Sequence, residues 1–136
     1  MKQLEVVAAI IEHDNKVLCM QRNVSKYPYV SLKYEFPGGK IELGETNTQA
    51  LERELREEMD MDVFINDNNY FMTIYHEYPD FAITMHVYII KVNDPQFTRK
   101  EHINHIWALP QEMSKLDWAA ADRPIVNKLL EELNAK

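Results

Sequence analysis

The chain of 136 residues carries 22 acidic and 15 basic side chains, a net charge of −7. That balance disfavours an electrostatic grip on polynucleotides or anionic membranes, yet permits a nucleotide held through a metal ion, which inverts the local charge. An apolar content of 46% and a single cysteine imply one soluble domain, residues 1–136, with a core that needs no disulfide or structural metal. From the N-terminus, Leu4 to Ile11 is expected as a strand buried on both faces. His13-Asp14-Asn15-Lys16 is turn chemistry, and Val17 to Arg22 is the returning strand, with Cys19 as a small buried residue. Asn23 to Lys33 forms a polar loop whose Tyr27 and Tyr29 are expected to cover the sheet. Tyr34-Glu35-Phe36 is a short strand entering a Pro37-Gly38-Gly39 turn.

A helix follows from Asn47. Thr46 caps it, Gln49 completes a capping box, and Ala50, Leu51, Leu55 and Met59 supply its buried stripe. Asp62 to Ile65 is expected as a strand, then Asn66 to Asn69 as a turn. Tyr70 to Glu77 and Phe81 to Val92 form a hairpin around Tyr78-Pro79-Asp80. Ile103 to Leu109 is a strand, Pro110 to Lys115 a short helix, and Arg123 to Leu133 a closing amphipathic helix with Pro124 in its first turn. The pattern predicts an α+β fold with a mixed sheet between helices. Without a signal peptide, lipidation motif or apolar run of membrane-spanning length, a cytoplasmic location is expected.

Glu54, Glu57 and Glu58 share one helix face. Like charges at this spacing cost a few tenths of a kcal/mol per pair, and Arg53, which can pair with Glu57, is one cation against three anions. Hard oxygen donors on one face suit Mg²⁺ or Mn²⁺ better than zinc. His76, His86, His102 and His105 offer no helical ligand pair and are expected to be packing or surface residues.

Gly39, five residues, Glu45, seven residues, then Arg53-Glu54-Leu55-Arg56-Glu57-Glu58 and Met61 resembles the Nudix box, G-x5-E-x7-R-E-U-x-E-E-x-G-U with U apolar. The one departure is Asp60, where the family has Gly. That Gly is expected to end the helix in a left-handed conformation, which Asp tolerates at a cost on the order of 1 kcal/mol. The run Tyr34 to Glu42, Tyr78-Pro79-Asp80, the Lys100-Glu101 pair before Trp107 and the tail Ala121 to Val126 resemble the MutT branch.

The resemblance implies an α/β/α sandwich that hydrolyses a nucleoside triphosphate to monophosphate and pyrophosphate, water attacking an inner phosphorus. It implies metal ligation by Glu54, Glu57, Glu58, Glu101 and the Gly38 carbonyl, with Arg53 orienting the glutamates and Glu45 supporting the loop or a water at the metal. Arg22, Phe36, Gly39, Lys40 and Asp122 are the implied substrate-contacting set. The substrate is expected to be 8-oxo-dGTP, with CTP, dCTP or 5-methyl-dCTP as the alternative. An ionised Asp122 only accepts hydrogen bonds and favours an amine such as cytosine N4; the same residue also suits the N-cap of the last helix. Hydrolysis of a dinucleotide or nucleotide sugar, and a catalytically silent nucleotide-binding module, are the other readings. The partner is a small nucleotide, with neither polynucleotide nor membrane, and the expected state is monomer or weak homodimer.

Overall fold

A computed structural model describes residues 1–134. Its sheet is built on the longest strand, β1 (Lys2–His13), which lies parallel to β6 (Phe81–Lys91) from Lys2↔Phe81 to Glu12↔Lys91. Strand β1 turns back into β2 (Lys16–Gln21) through Asp14 and Asn15, with φ of 51° and 66°. Two successive left-handed residues make the tight turn whose twist matches the flanking strands, and Asp and Asn are among the few residues that tolerate it. Outward from this centre, β2 pairs β3 (Tyr34–Glu35) and β7 (Asn104–Ala108), while β6 pairs β5 (Tyr70–Glu77).

Alternation along the strands divides the core in two. Val7, Ala9 and Ile11 of β1, with Leu18 and Met20, pack on Ala50, Leu51, Leu55 and Met59 of α1 (Asn47–Met59). Ala8 and Ile10, with Val17 and Cys19, pack in the cluster of Ile125, Val126 and Leu129 of α3 (Arg123–Asn134). Between β7 and α3 lies the short α2 (Pro110–Met113). Each fully buried Ile, Leu or Met contributes about 1.5–3 kcal/mol, so these clusters clamp a helix to each face. The result is the expected α+β arrangement of a mixed sheet between helices.

Two local expectations fail. Asp62 to Ile65 forms no strand: the segment leaves α1 with Met61 and Ile65 buried beneath it, and Ile65 N–H donates to Glu52 of the helix (2.8 Å) instead of to a strand. Gly38 and Gly39 are not a turn either. With Lys40 they form β4 (Gly38–Lys40), antiparallel to Val6–Ala8 of β1. A Cβ on Gly38 would collide with the Val7 carbonyl, so the glycine permits close strand approach rather than chain reversal.

Candidate active site

Helix α1 is placed by its own caps. Thr46 accepts from Gln49 N–H (3.2 Å) and Gln49 accepts from Thr46 N–H (2.9 Å). At the other end Asp60 is left-handed (φ 52°, ψ 30°), its N–H reaching the Arg56 carbonyl (3.1 Å) and Met61 N–H reaching that of Leu55 (3.2 Å). The register set by these caps turns Arg53, Glu54 and Glu58 towards β4. Gly39 leaves room for them: a Cβ there would lie 2.5 Å from the Glu54 carboxyl carbon.

Arg53 is the hub of the acidic face. It grips Glu45 with two hydrogen bonds, from Nε (2.6 Å) and Nη2 (3.0 Å), and donates from Nη1 to Glu54 (2.9 Å) and Glu57 (3.2 Å). Nη2 also donates to the Lys40 carbonyl (3.0 Å), tying helix to loop. The Glu45 pair raises the guanidinium pKa further, and Arg53 in turn holds the Glu45 carboxyl below its usual range. Glu45 also accepts from Glu42 N–H (2.8 Å), so it stiffens the loop it belongs to.

Glu58 has no such cation. Burial first, then the nearby Glu54 and Glu101, push its pKa up to about 9. Its Oε2 is buried with no hydrogen-bond partner. An orphaned carboxyl oxygen beside two further carboxyls fits a hard divalent cation. Among the described residues no three carboxyl groups close on one ligand point, because Glu54 and Glu57 are drawn to Arg53. Glu57 is the most exposed of the three helix glutamates, its side chain 61% exposed.

A cleft of about 660 Å³ is lined by Glu58 and Glu101, by Gly38, Gly39 and Lys40, and by Arg22, Phe36 and Asp122. Asp122 is 5% exposed, and its Oδ2 accepts from Phe36 N–H (3.0 Å). Its carboxyl therefore braces β3's exit rather than capping α3. Burial, then the neighbouring Glu35, raises the Asp122 pKa well above the carboxylate range. A shift in that direction favours the protonated carboxyl, which donates as well as accepts. The Phe36 ring stacks on Trp118 at 4.7 Å and lines the cleft from the core side.

Three residues of this site escaped the sequence reasoning. Glu35 accepts from Arg22 Nη1 (3.0 Å) on one oxygen and meets His102 Nε2 (2.9 Å) on the other. His102, expected to be a packing or surface residue, is 7% exposed and borders the cleft. Tyr78 accepts from Ala121 N–H (2.9 Å) and so positions the residue before Asp122. A polar Glu35 between buried Tyr34 and Phe36, and a histidine beside Glu101, were the available signals. Tyr27 and Tyr29 do cover the β5–β6 hairpin, Tyr29 stacking on Tyr78 at 5.1 Å, but Tyr27 also lines the cleft.

Residues 6–128 match the model of the NUDIX domain. The chain belongs to the Nudix family. It is 35% identical to the CTP pyrophosphohydrolase of Escherichia coli K12 over 130 residues, 96% of this chain and 93% of that protein. To the 8-oxo-dGTP diphosphatase of the same organism it is 32% identical over 131 residues, 95% of this chain and 98% of that one. The solution structure of the DNA mismatch repair protein MutT, a Nudix hydrolase from methicillin-resistant Staphylococcus aureus 252, is 41% identical. It superposes with a TM-score of 0.73 and covers 97% of this chain and 99% of its own. The protein is a Nudix hydrolase of MutT type, acting on phosphoric anhydride bonds. Nudix hydrolases generally require a divalent metal, which accords with the unpartnered Glu58 oxygen. No helix among the described residues is long and apolar enough to cross a membrane.

Proposed function

We propose that this Nudix hydrolase is a cytoplasmic, Mg²⁺-dependent pyrophosphohydrolase that converts 8-oxo-dGTP to its monophosphate and diphosphate. The observation that carries the reading is a single cleft with Glu58 and Glu101 at one end and the buried Asp122 at the other. Glu54, Glu57, Glu58, Glu101 and the Gly38 carbonyl are the residues to hold Mg²⁺ or Mn²⁺, which when bound neutralises phosphate charge and acidifies water. Arg53, gripped by Glu45, restrains Glu54 and Glu57 against their mutual repulsion. Lys40 lines the cleft beside Gly38 and Gly39, where the phosphates would lie, while Arg22 stands with Glu35 near Asp122. Water adds to an inner phosphorus, its proton passes to a glutamate of the cluster, and the anhydride P–O bond breaks towards the departing phosphate.

At the base end one oxygen of Asp122 is taken by Phe36 N–H. A protonated Asp122, the form its burial favours, would offer its proton to a base carbonyl, such as O6 of 8-oxoguanine, which an ionised carboxylate would repel. A cytidine triphosphate is the second reading, favoured by the 35% identity to a CTP pyrophosphohydrolase. The test is a Mg²⁺-dependent product assay over 8-oxo-dGTP, dGTP, CTP, dCTP, 5-methyl-dCTP, ADP-ribose and a diadenosine polyphosphate. The highest kcat/KM is expected on 8-oxo-dGTP, with diphosphate as a product. A higher value on a cytidine triphosphate replaces the first reading by the second. Turnover confined to ADP-ribose or the dinucleotide refutes both. Tight nucleotide binding without turnover identifies a silent module. The working unit is a monomer or weak homodimer, which sedimentation velocity tests.

A further inference from the structure

The segment between β6 and β7 carries Glu101 to the acidic end of the cleft, and it is anchored unusually close to that residue on both sides. Upstream, Lys100 Nζ donates to Asp60 Oδ1 at the end of α1 (2.7 Å), and Thr98 N–H donates to the Met59 carbonyl (2.9 Å). Downstream, His102 Nε2 meets Glu35 Oε2 (2.9 Å), and Ile103 N–H donates to the Gln21 carbonyl (3.1 Å). Glu101 itself is exposed and faces Glu58, and its neighbours in the chain carry the anchoring contacts.

We propose that Asp60 and Glu35 are positioning residues that latch Lys100 and His102 and thereby deliver Glu101 to the Glu58 carboxyl. The proposal rests on the reading that Glu101 works in the acidic cluster. It also gives the one departure from the Nudix box a use. Glycine would satisfy the left-handed backbone at position 60 with less strain than aspartate, but it has no side chain to hold Lys100. The two halves differ in strength. The Asp60–Lys100 pair is about half exposed, whereas His102 is 7% exposed and Glu35 22%. Glu35 uses its other oxygen on Arg22, so the stronger half also ties the segment to Arg22.

Hydrogen–deuterium exchange of residues 98–103 in the metal-free protein reads the latch directly, and Mg²⁺-dependent kinetics read its consequence. His102→Ala should speed exchange across the segment and lower kcat roughly tenfold with little change in KM, as for a displaced catalytic group. His102→Gln, whose amide can donate to Glu35, should restore much of both. Asp60→Gly should speed exchange and lower kcat roughly two- to fivefold, the span of an exposed ion pair, without lowering the melting temperature. Asp60→Asn, which keeps an acceptor, should lie between. Unchanged exchange and kcat in both His102→Ala and Asp60→Gly, alongside a dead Glu101→Gln, would overturn the latch alone. A fully active Glu101→Gln would overturn it differently, by showing that Glu101 has no task in the cluster.

Discussion

At the acidic end of the cleft, Arg53, Glu54, Glu57 and Glu58 all come from two turns of α1. At the base end, Arg22, Glu35, His102 and Asp122 come from four separate segments. The first group is brought together by helix pitch alone, and it is overloaded: one guanidinium answers Glu45, Glu54 and Glu57 and leaves Glu58 bare. The second group is assembled only by the fold, and its members are paired: Glu35 lies between Arg22 and His102, and Asp122 accepts from a backbone N–H. A helix can crowd charge for a cation to relieve. A site gathered from distant strands can instead tune a single proton.

The contrast can be broken at either end, and the acidic end should break hardest. Glu58→Gln is expected to cost about 10²–10³-fold in metal-dependent turnover, the scale of losing one organised electrostatic group. The metal-free variant should be no less stable by thermal unfolding, because at neutral pH the amide replaces a carboxyl that is already protonated, its pKa being about 9. Equal turnover in both proteins would remove Glu58 from the chemistry. Next comes Arg53→Ala. Removing the cation that bridges Glu45, Glu54 and Glu57 should cost about 3 kcal/mol in urea unfolding, more than an ordinary surface charge. A loss under about 0.5 kcal/mol would mean the glutamates relax apart unaided.

Asp122→Asn sharpens the other end with the smallest effect. Burial raises the folded-state pKa of Asp122 above its unfolded value. Its stabilising contribution is therefore full below the ordinary carboxylate range and is lost as pH rises through the folded-state value. Asparagine has no proton to lose, so the stability of Asp122→Asn should fall less across that window in urea titrations. Parallel curves for the two proteins would show that Asp122 ionises freely in the fold. The same substitution should preserve a preference for 8-oxo-dGTP.

Features whose cause lies within a few residues were legible beforehand. The Thr46–Gln49 capping box, the Asp14-Asn15 turn, the buried stripe of α1 and the left-handed Asp60 all follow from local geometry and appear as expected. The errors came where a distant partner decides. Gly38 and Gly39 have the chemistry of a turn, yet β1 recruits them into a strand. Asp62 to Ile65 has a strand's pattern, but Glu52 takes the Ile65 N–H that an edge would need. His102 shows no ligand spacing because its partner Glu35 stands 67 positions away.

By itself, then, the sequence determined the Nudix box and the acidic face of α1, because helix pitch converts spacing into proximity without reference to the rest of the chain. Only the tertiary structure decided that Glu58 Oε2 is buried without a hydrogen-bond partner, that Glu101 lies beside Glu58, and that burial drives the Asp122 pKa upward. Those properties are set by desolvation and by charges contributed from other segments, neither of which exists until the layers close around them.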